Sequence, residues 1–290
     1  MKYTYILLFL IASFALWSCS EEDLDPKSIF GTTSPERNEF DTWILKNYTL
    51  PYNIDFKYRL EDKETLQEYN LVPADYNKSI ALAKLIKYLW VDSYEELLGP
   101  EFIRTYTPRV IHLIGSPAYS NGSILLGTAE GGLKVTLYNV NNIDVENIDI
   151  NQLNEYYFKT MHHEFAHILH QTKSYSTDFN LITPGKYTSS NWINISNDEA
   201  LKMGFITGYG SSETQEDFVE IIAVYVTNDA AFWDAQMVKA GKEGAALIKA
   251  KLDIVKDYLE TSWGINLDKL RNIVQRRSQD VSTLDLKTLN

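Results

Sequence analysis

Residues 159–171 read Lys-Thr-Met-His-His-Glu-Phe-Ala-His-Ile-Leu-His-Gln and hold four of the chain's five histidines. Inside this stretch, His163-Glu164-Phe165-Ala166-His167 has the spacing His-Glu-x-x-His. Four residues turn an α-helix through about 400°, so the two imidazoles stand about 40° apart and one turn up, close enough to share a zinc ion. Glu164, beside the first histidine, points toward the same cleft and can take a proton from a water that the metal activates. The pattern has meaning only on a helix. Residues 149–171 read as one long helix with Asp149 or Asn151 as its cap, which puts the pattern mid-helix on an apolar background. The competing reading is a pair of hydrogen-bonded histidines on a half-buried helix.

A catalytic zinc takes three protein ligands and keeps a position open for water. The segment Tyr209-Gly210-Ser211-Ser212-Glu213-Thr214-Gln215-Glu216-Asp217-Phe218-Val219-Glu220 offers the third. Glu216 and Glu220 lie four apart on a predicted helix among Phe218, Ile221, Ile222 and Val224, a poor place for unpaired charge. One of the two is expected to bind the metal and the other to accept a hydrogen bond from the far nitrogen of a ligand histidine. Glu213 reads as an ordinary acid at a helix start. His170 follows His167 on a similar face, but a metzincin would carry a glycine there and a histidine where Lys173 stands, so His170 is expected to line the cleft or to pack. His162 is expected at the surface or as an outer partner of the metal, and His112, in a strand-like run, as structural.

Around this helix the periodicity predicts α+β organisation. Apolar spacings of three and four predict a short helix over 40–48 and an amphipathic one over 80–98. The period then changes to strand-like runs at 110–115, 123–127 and 133–140, separated by Gly and Asn. Residues 133–140, which alternate Leu133, Val135, Leu137 with Lys134, Thr136, Tyr138, are expected to be the edge strand bordering the cleft, open to an extended peptide. Beyond a loop-rich stretch, helices are predicted over 213–228, 230–240, 243–260 and 267–276.

The N-terminus points to export. Lys2 precedes an apolar run from Ile6 to Trp17 that is short for a bilayer span and is followed at once by polar residues. Residues 1–18 are therefore expected to be a signal peptide, 19–37 a tether with Pro26 and Pro35, and 38–290 the folded domain. Cys19 is the chain's one cysteine, so no intrachain disulfide supports the fold. A formal charge of −12, without any basic run interleaved with aromatics, makes the chain a poor polyanion binder, and no nucleic-acid partner is expected.

Leu16-Trp17-Ser18-Cys19 resembles a bacterial lipobox, in which the signal is cut before an acylated cysteine. The acidic run Ser20-Glu21-Glu22-Asp23 resembles the retention tag of surface-exposed outer-membrane lipoproteins. Together with the HEFAH pattern, Ile168-Leu169-His170-Gln171 and the segment from Gly208 to Glu220, these features resemble the substrate import-associated zinc metallohydrolase lipoproteins, over about residues 40–280. The spacing of Tyr209, Glu216 and Glu220 is also similar to the zinc site of the anthrax lethal factor group of gluzincins. The resemblance implies a zincin-like metallopeptidase domain with a small mixed sheet, an HExxH helix and a mostly helical C-terminal half. It implies zinc as cofactor, His163, His167 and Glu216 as its ligands, Glu220 behind them, Glu164 as general base and Tyr209 as the phenol that stabilises the oxyanion. It also implies acylation at Cys19, an outer-membrane location on the cell surface, a peptide or protein substrate and a TonB-dependent nutrient-import complex as partner. One alternative is a surface binding module of such a complex without peptidase activity, its metal site closed by a fourth ligand, for which His170 is the nearby candidate; another is a zinc hydrolase acting on a different bond, such as a glycan-linked amide.

Overall fold

In the computed structural model the described residues are 36–61, 69–120, 123–125, 127–130 and 133–289. The signal segment, Cys19 and the tether up to residue 35 lie outside them. The folded unit spans Asn38–Asn290 and opens with a reciprocal cap: Asp41 N donates to Asn38 Oδ1 at 2.7 Å, and Asn38 N donates to the Asp41 carboxylate at 3.0 Å. Helix α1 then runs from Glu39–Ile44 through a π turn, Leu45–Thr49, to Leu50–Tyr52. After the short strand β1 (Asp55–Lys57), helix α2 runs Tyr76–Ile86, a π turn Lys87–Val91 and Asp92–Leu98, and α3 spans Pro100–Tyr106.

Strands β2 (Val110–Leu113), β3 (Ala118–Ser120), β4 (Ser123–Leu125), β5 (Gly127–Glu130) and β6 (Lys134–Leu137) follow. The main sheet has the order β1-β2-β6-β5, with β1, β2 and β6 parallel and β5 antiparallel to β6, while β3 and β4 form a separate hairpin. Ile111, Leu113, Val135 and Leu137 are buried, and so are His112 and Thr136 between them. Both faces of the central strands are thus covered, as parallel sheets require.

The expectation for residues 133–140 is overturned here. Their strand, β6, is interior, paired with β2 on one side and β5 on the other. The alternating pattern suggested a half-exposed edge, but Thr136 and Tyr138 are as buried as Val135 and Leu137. The chain doubles back so that Gly127–Glu130 takes the edge, and β5 lies against the histidine-bearing helix.

That helix, α4, consists of Ile150–Leu153, a π turn Asn154–Phe158 and Lys159–Thr172. Asp149 caps it, accepting from Asn151 N at 2.9 Å. Phe165, on the side of α4 away from His163 and His167, packs edge-on against Trp90 at 5.3 Å and Tyr94 at 4.9 Å between ring centroids. Such pairs contribute about 0.5–1.5 kcal/mol each beyond their burial. The remaining helices are α5 (Asn197–Met203), α6 (Thr214–Thr227), α7 (Ala230–Trp263) and α8 (Leu267–Asp280). The break expected near 241 is present inside α7, where Gly241 takes φ 69° and ψ −177°, a conformation that a residue with a Cβ rarely adopts. Helix α6 packs along α4, and this contact creates the site.

Candidate metal centre

Helices α4 and α6 face each other with their polar stripes turned inward. His163 Nε2 lies 3.2 Å from His167 Nε2 and 3.0 Å from Glu216 Oε2, and His167 Nε2 is 3.4 Å from the same carboxylate. Donors bound to one tetrahedral zinc ion at about 2.0–2.2 Å are separated by about 3.3–3.6 Å, so the three atoms stand slightly inside the spacing of three corners of such a site. Among the described residues, His163, His167 and Glu216 form the one group of three whose donor atoms all lie within 4.8 Å of one another. Two imidazole nitrogens and a carboxylate oxygen that all offer lone pairs to one point repel unless something positive lies between them. A divalent cation suited to nitrogen and oxygen donors therefore fits.

Without a metal, protons must do that work. Burial opposes a charge on His163, but Glu216 and Glu220 outweigh it and push the imidazole up to about 9. Burial likewise opposes the Glu216 carboxylate, yet the two imidazoles hold it well below the usual range.

Behind the donors, His163 Nδ1 lies 3.0 Å from Glu220 Oε1. Glu220 is only 2% exposed, and its other oxygen accepts from Lys159 Nζ at 2.8 Å and Thr207 Oγ1 at 2.7 Å. Its burial is outweighed by Lys159 and His163, which bring the carboxyl down to about 2. His167 Nδ1 meets His170 Nε2 at 2.9 Å. Burial, aided by the neighbouring His167, lowers His170 to about 4.

Glu164 is half-buried, outside the group of three, and burial pushes its carboxyl up. Tyr209 sits on a 3-10 turn, Tyr209–Ser211, with its ring 5.8 Å from that of His163 and edge-on to Trp192 at 4.9 Å. Burial and the Glu216 carboxylate push its phenol far up, so it stays a hydrogen-bond donor at neutral pH. The turn is tightly embedded. A Cβ on Gly208 would stand 2.4 Å from the Ile195 carbonyl oxygen, and Ser211 and Ser212 carbonyls accept from Thr188 N at 2.8 Å and Ser189 N at 3.0 Å.

Of the other histidines, His162 is not at the surface: it is fully buried, with Nδ1 3.0 Å from the Tyr94 hydroxyl. His112 is buried in β2.

Sequence reasoning missed Lys159 and the role of Thr207. Lys159 stands four residues before His163, on the same stripe of α4, a signal that the 3.6-residue period could have supplied. Thr207 lies in a loop, where no period points. Also missed was a fully buried ion pair next to Glu216, in which Lys251 Nζ of α7 lies 2.6 Å from Asp217 Oδ2, both side chains being 0% exposed. The same Asp217 oxygen accepts from Tyr187 Oη at 2.9 Å, and Lys251 Nζ also donates to the Gly204 carbonyl at 2.8 Å. Burial pushes the carboxyl up and the ammonium down, against their mutual attraction.

Residues 33–268 match the model of a family described as "putative zinc-binding metallo-peptidase". The chain is also similar to a crystal structure of a protein from Bacteroides caccae described in the same words, with 46% identity and a TM-score of 0.78 over 91% of this chain and 100% of that one. A comparison with curated proteins found no match.

Proposed function

The chain belongs to the "putative zinc-binding metallo-peptidase" family, and on that premise we propose that it is a zinc-dependent peptidase in which His163, His167 and Glu216 hold the metal and Glu164 is the general base. The observation that carries this reading is the convergence of three donors, two imidazoles and one carboxylate, at 3.0–3.4 Å from one another. When bound, zinc supplies a Lewis acid that polarises the scissile carbonyl and acidifies the attacking water. Glu164 takes the proton of that water and delivers it to the leaving amine. Tyr209 donates its phenolic hydrogen to the oxyanion that forms at the former carbonyl oxygen. Glu220 holds His163 in place and is itself held by Lys159 and Thr207. Among the described residues no strand pairs with the outer side of β5, beside α4, and its backbone groups are open to an extended peptide.

A binding module with a closed metal site would need a fourth protein donor. His170 is the nearby candidate, and its Nε2 is engaged by His167 Nδ1 rather than turned toward the other three donors. The apolar N-terminal run and the lipobox-like residues 16–19 support a lipid-anchored protein of the outer membrane, and the acidic run after Cys19 and the resemblance to import-associated lipoproteins support a surface location in the service of a nutrient-import complex.

The test is incubation of the zinc-loaded full-length protein with a diverse peptide mixture, reading cleavage by mass spectrometry beside Glu164→Gln. Cleavage by the wild type that is lost in the variant supports the peptidase reading. A wild type that cleaves nothing, or a variant that cleaves equally, overturns it.

A further inference from the structure

We propose that His170 is a positioning residue for the metal ligand His167: its Nε2 accepts a hydrogen bond from His167 Nδ1–H and so fixes the tautomer and ring plane that turn His167 Nε2 toward the metal. The inference rests on the zinc reading above and adds a residue to it.

A neutral imidazole carries one proton on two nitrogens, and the nitrogen that binds a metal cannot be the one that keeps it. His167 Nε2 stands 3.2 Å from His163 Nε2 and 3.4 Å from the Glu216 carboxylate, so it is the ligating atom and the proton belongs on Nδ1. A proton on Nδ1 in a half-buried cleft needs an acceptor. His170 Nε2 is at 2.9 Å. The reverse tautomer, with His170 donating to His167 Nδ1, would put a proton on His167 Nε2 and block the metal, so zinc binding selects the arrangement in which His170 accepts.

The fold holds His170 ready for this. It follows His163 by seven residues, which returns it to within about 20° of the same helical stripe, two turns on. Only 7% of its surface is exposed, so water competes little for its nitrogen. Its ring lies 5.6 Å from that of Tyr175 and 6.3 Å from that of Phe218, and these two rings stack on each other at 3.9 Å and 7°. Phe218 comes from the same turn of α6 as the ligand Glu216, so one aromatic wall sets both sides of the contact. The two ligand histidines thus differ in their support. His163 leans on a carboxylate fixed by a lysine, and His167 leans on an imidazole fixed by packing.

The experiment measures zinc affinity of the full-length protein by competition with a chromogenic chelator, for the wild type, His170→Ala, His170→Leu and His170→Gln. Thermal unfolding of the metal-free forms reports the fold independently. The substitutions to alanine and leucine remove the acceptor and should each weaken zinc binding by about 10–100-fold, the usual effect of losing an outer partner of a ligand histidine. His170→Gln offers an amide oxygen and should recover most of that loss. X-ray absorption of the zinc-loaded protein should count two imidazoles in the wild type and in every variant. Equal affinities of His170→Leu and His170→Gln, or an imidazole count that drops on His170→Ala, overturns the proposal. A wild type that takes up no zinc overturns it together with the reading it rests on. Zinc binding that follows the expected pattern without any peptide cleavage keeps His170 in this role and removes only the peptidase.

Discussion

His163 Nδ1 and Glu220 Oε1 stand 3.0 Å apart across the contact of α4 and α6, while the opposite nitrogen of the same ring lies 3.0 Å from Glu216 Oε2. One imidazole is therefore gripped from both sides by carboxylates four residues apart on a single helix. The inner carboxylate can share a cation with the ring. The outer one can accept its remaining proton and fix its plane.

Removing that outer grip should weaken the metal without removing a ligand. Glu220→Ala is expected to lower zinc affinity by about 10–100-fold. Both Glu220→Ala and Glu220→Gln leave the Lys159 charge unanswered, but glutamine keeps an oxygen that can accept a hydrogen bond, so Glu220→Gln should be milder. Chelator competition on both variants checks this, and unchanged affinity in Glu220→Ala would contradict the assignment.

Glu164→Gln keeps the volume of the side chain and removes the base. Zinc content should stay near one per chain, while peptide hydrolysis should fall by about 10²–10⁴-fold. Metal analysis beside a cleavage assay separates the two effects.

Zinc should stabilise the fold, because its donors come from two helices that must be docked to bind it. At a free zinc concentration about 1,000 times the dissociation constant, linkage contributes about 4 kcal/mol. Chelation should therefore lower the melting temperature, and a His163→Ala/His167→Ala double variant should melt alike with and without zinc. Affinity should also drop as pH falls, since His163, which Glu216 and Glu220 push up to about 9, is protonated below that pH and must give up its extra proton to bind.

Lys251→Met would leave Asp217 buried beside the ligand Glu216 without its cation. Breaking a buried pair in this way costs about 3–5 kcal/mol. Chemical denaturation should show that loss, and Asp217→Asn/Lys251→Met should be more stable than Lys251→Met alone, because the second change removes the stranded charge.

Cys19→Ala should move the protein out of the membrane fraction if the lipobox is used, since the acyl chains would be the anchor. Fractionation of cells expressing each form decides it, and an unchanged membrane share would count against acylation.

What the residues determined by themselves is what short-range geometry controls. The i, i+4 spacing placed His163 and His167 together, Asp149 marked the start of α4, and the 3.6-residue period marked α2, α6 and the two halves of α7. Each of these depends on neighbours within a turn or two, where the helical period is a reliable guide. The short α3 and α5 and the three-residue β1 escaped it because they are too brief to show a period. Tertiary structure alone decided which strand is the edge. The pattern of Leu133 to Tyr138 suits a half-exposed strand, and only the pairing of Gly127–Glu130 along β6 closes that side. The i, i+4 spacing by itself likewise left Glu216 and Glu220 interchangeable as ligand and outer partner, and only the resemblance implied which is which. The packing of α6 on α4 sets one at Nε2 and the other at Nδ1 of His163, because the two helices meet at one angle and one depth. Thr207 and Lys251 complete the surroundings from positions 13 and 34 residues away from their carboxylate partners. Contacts over such separations are fixed by how the helices and loops pack, which no local period encodes.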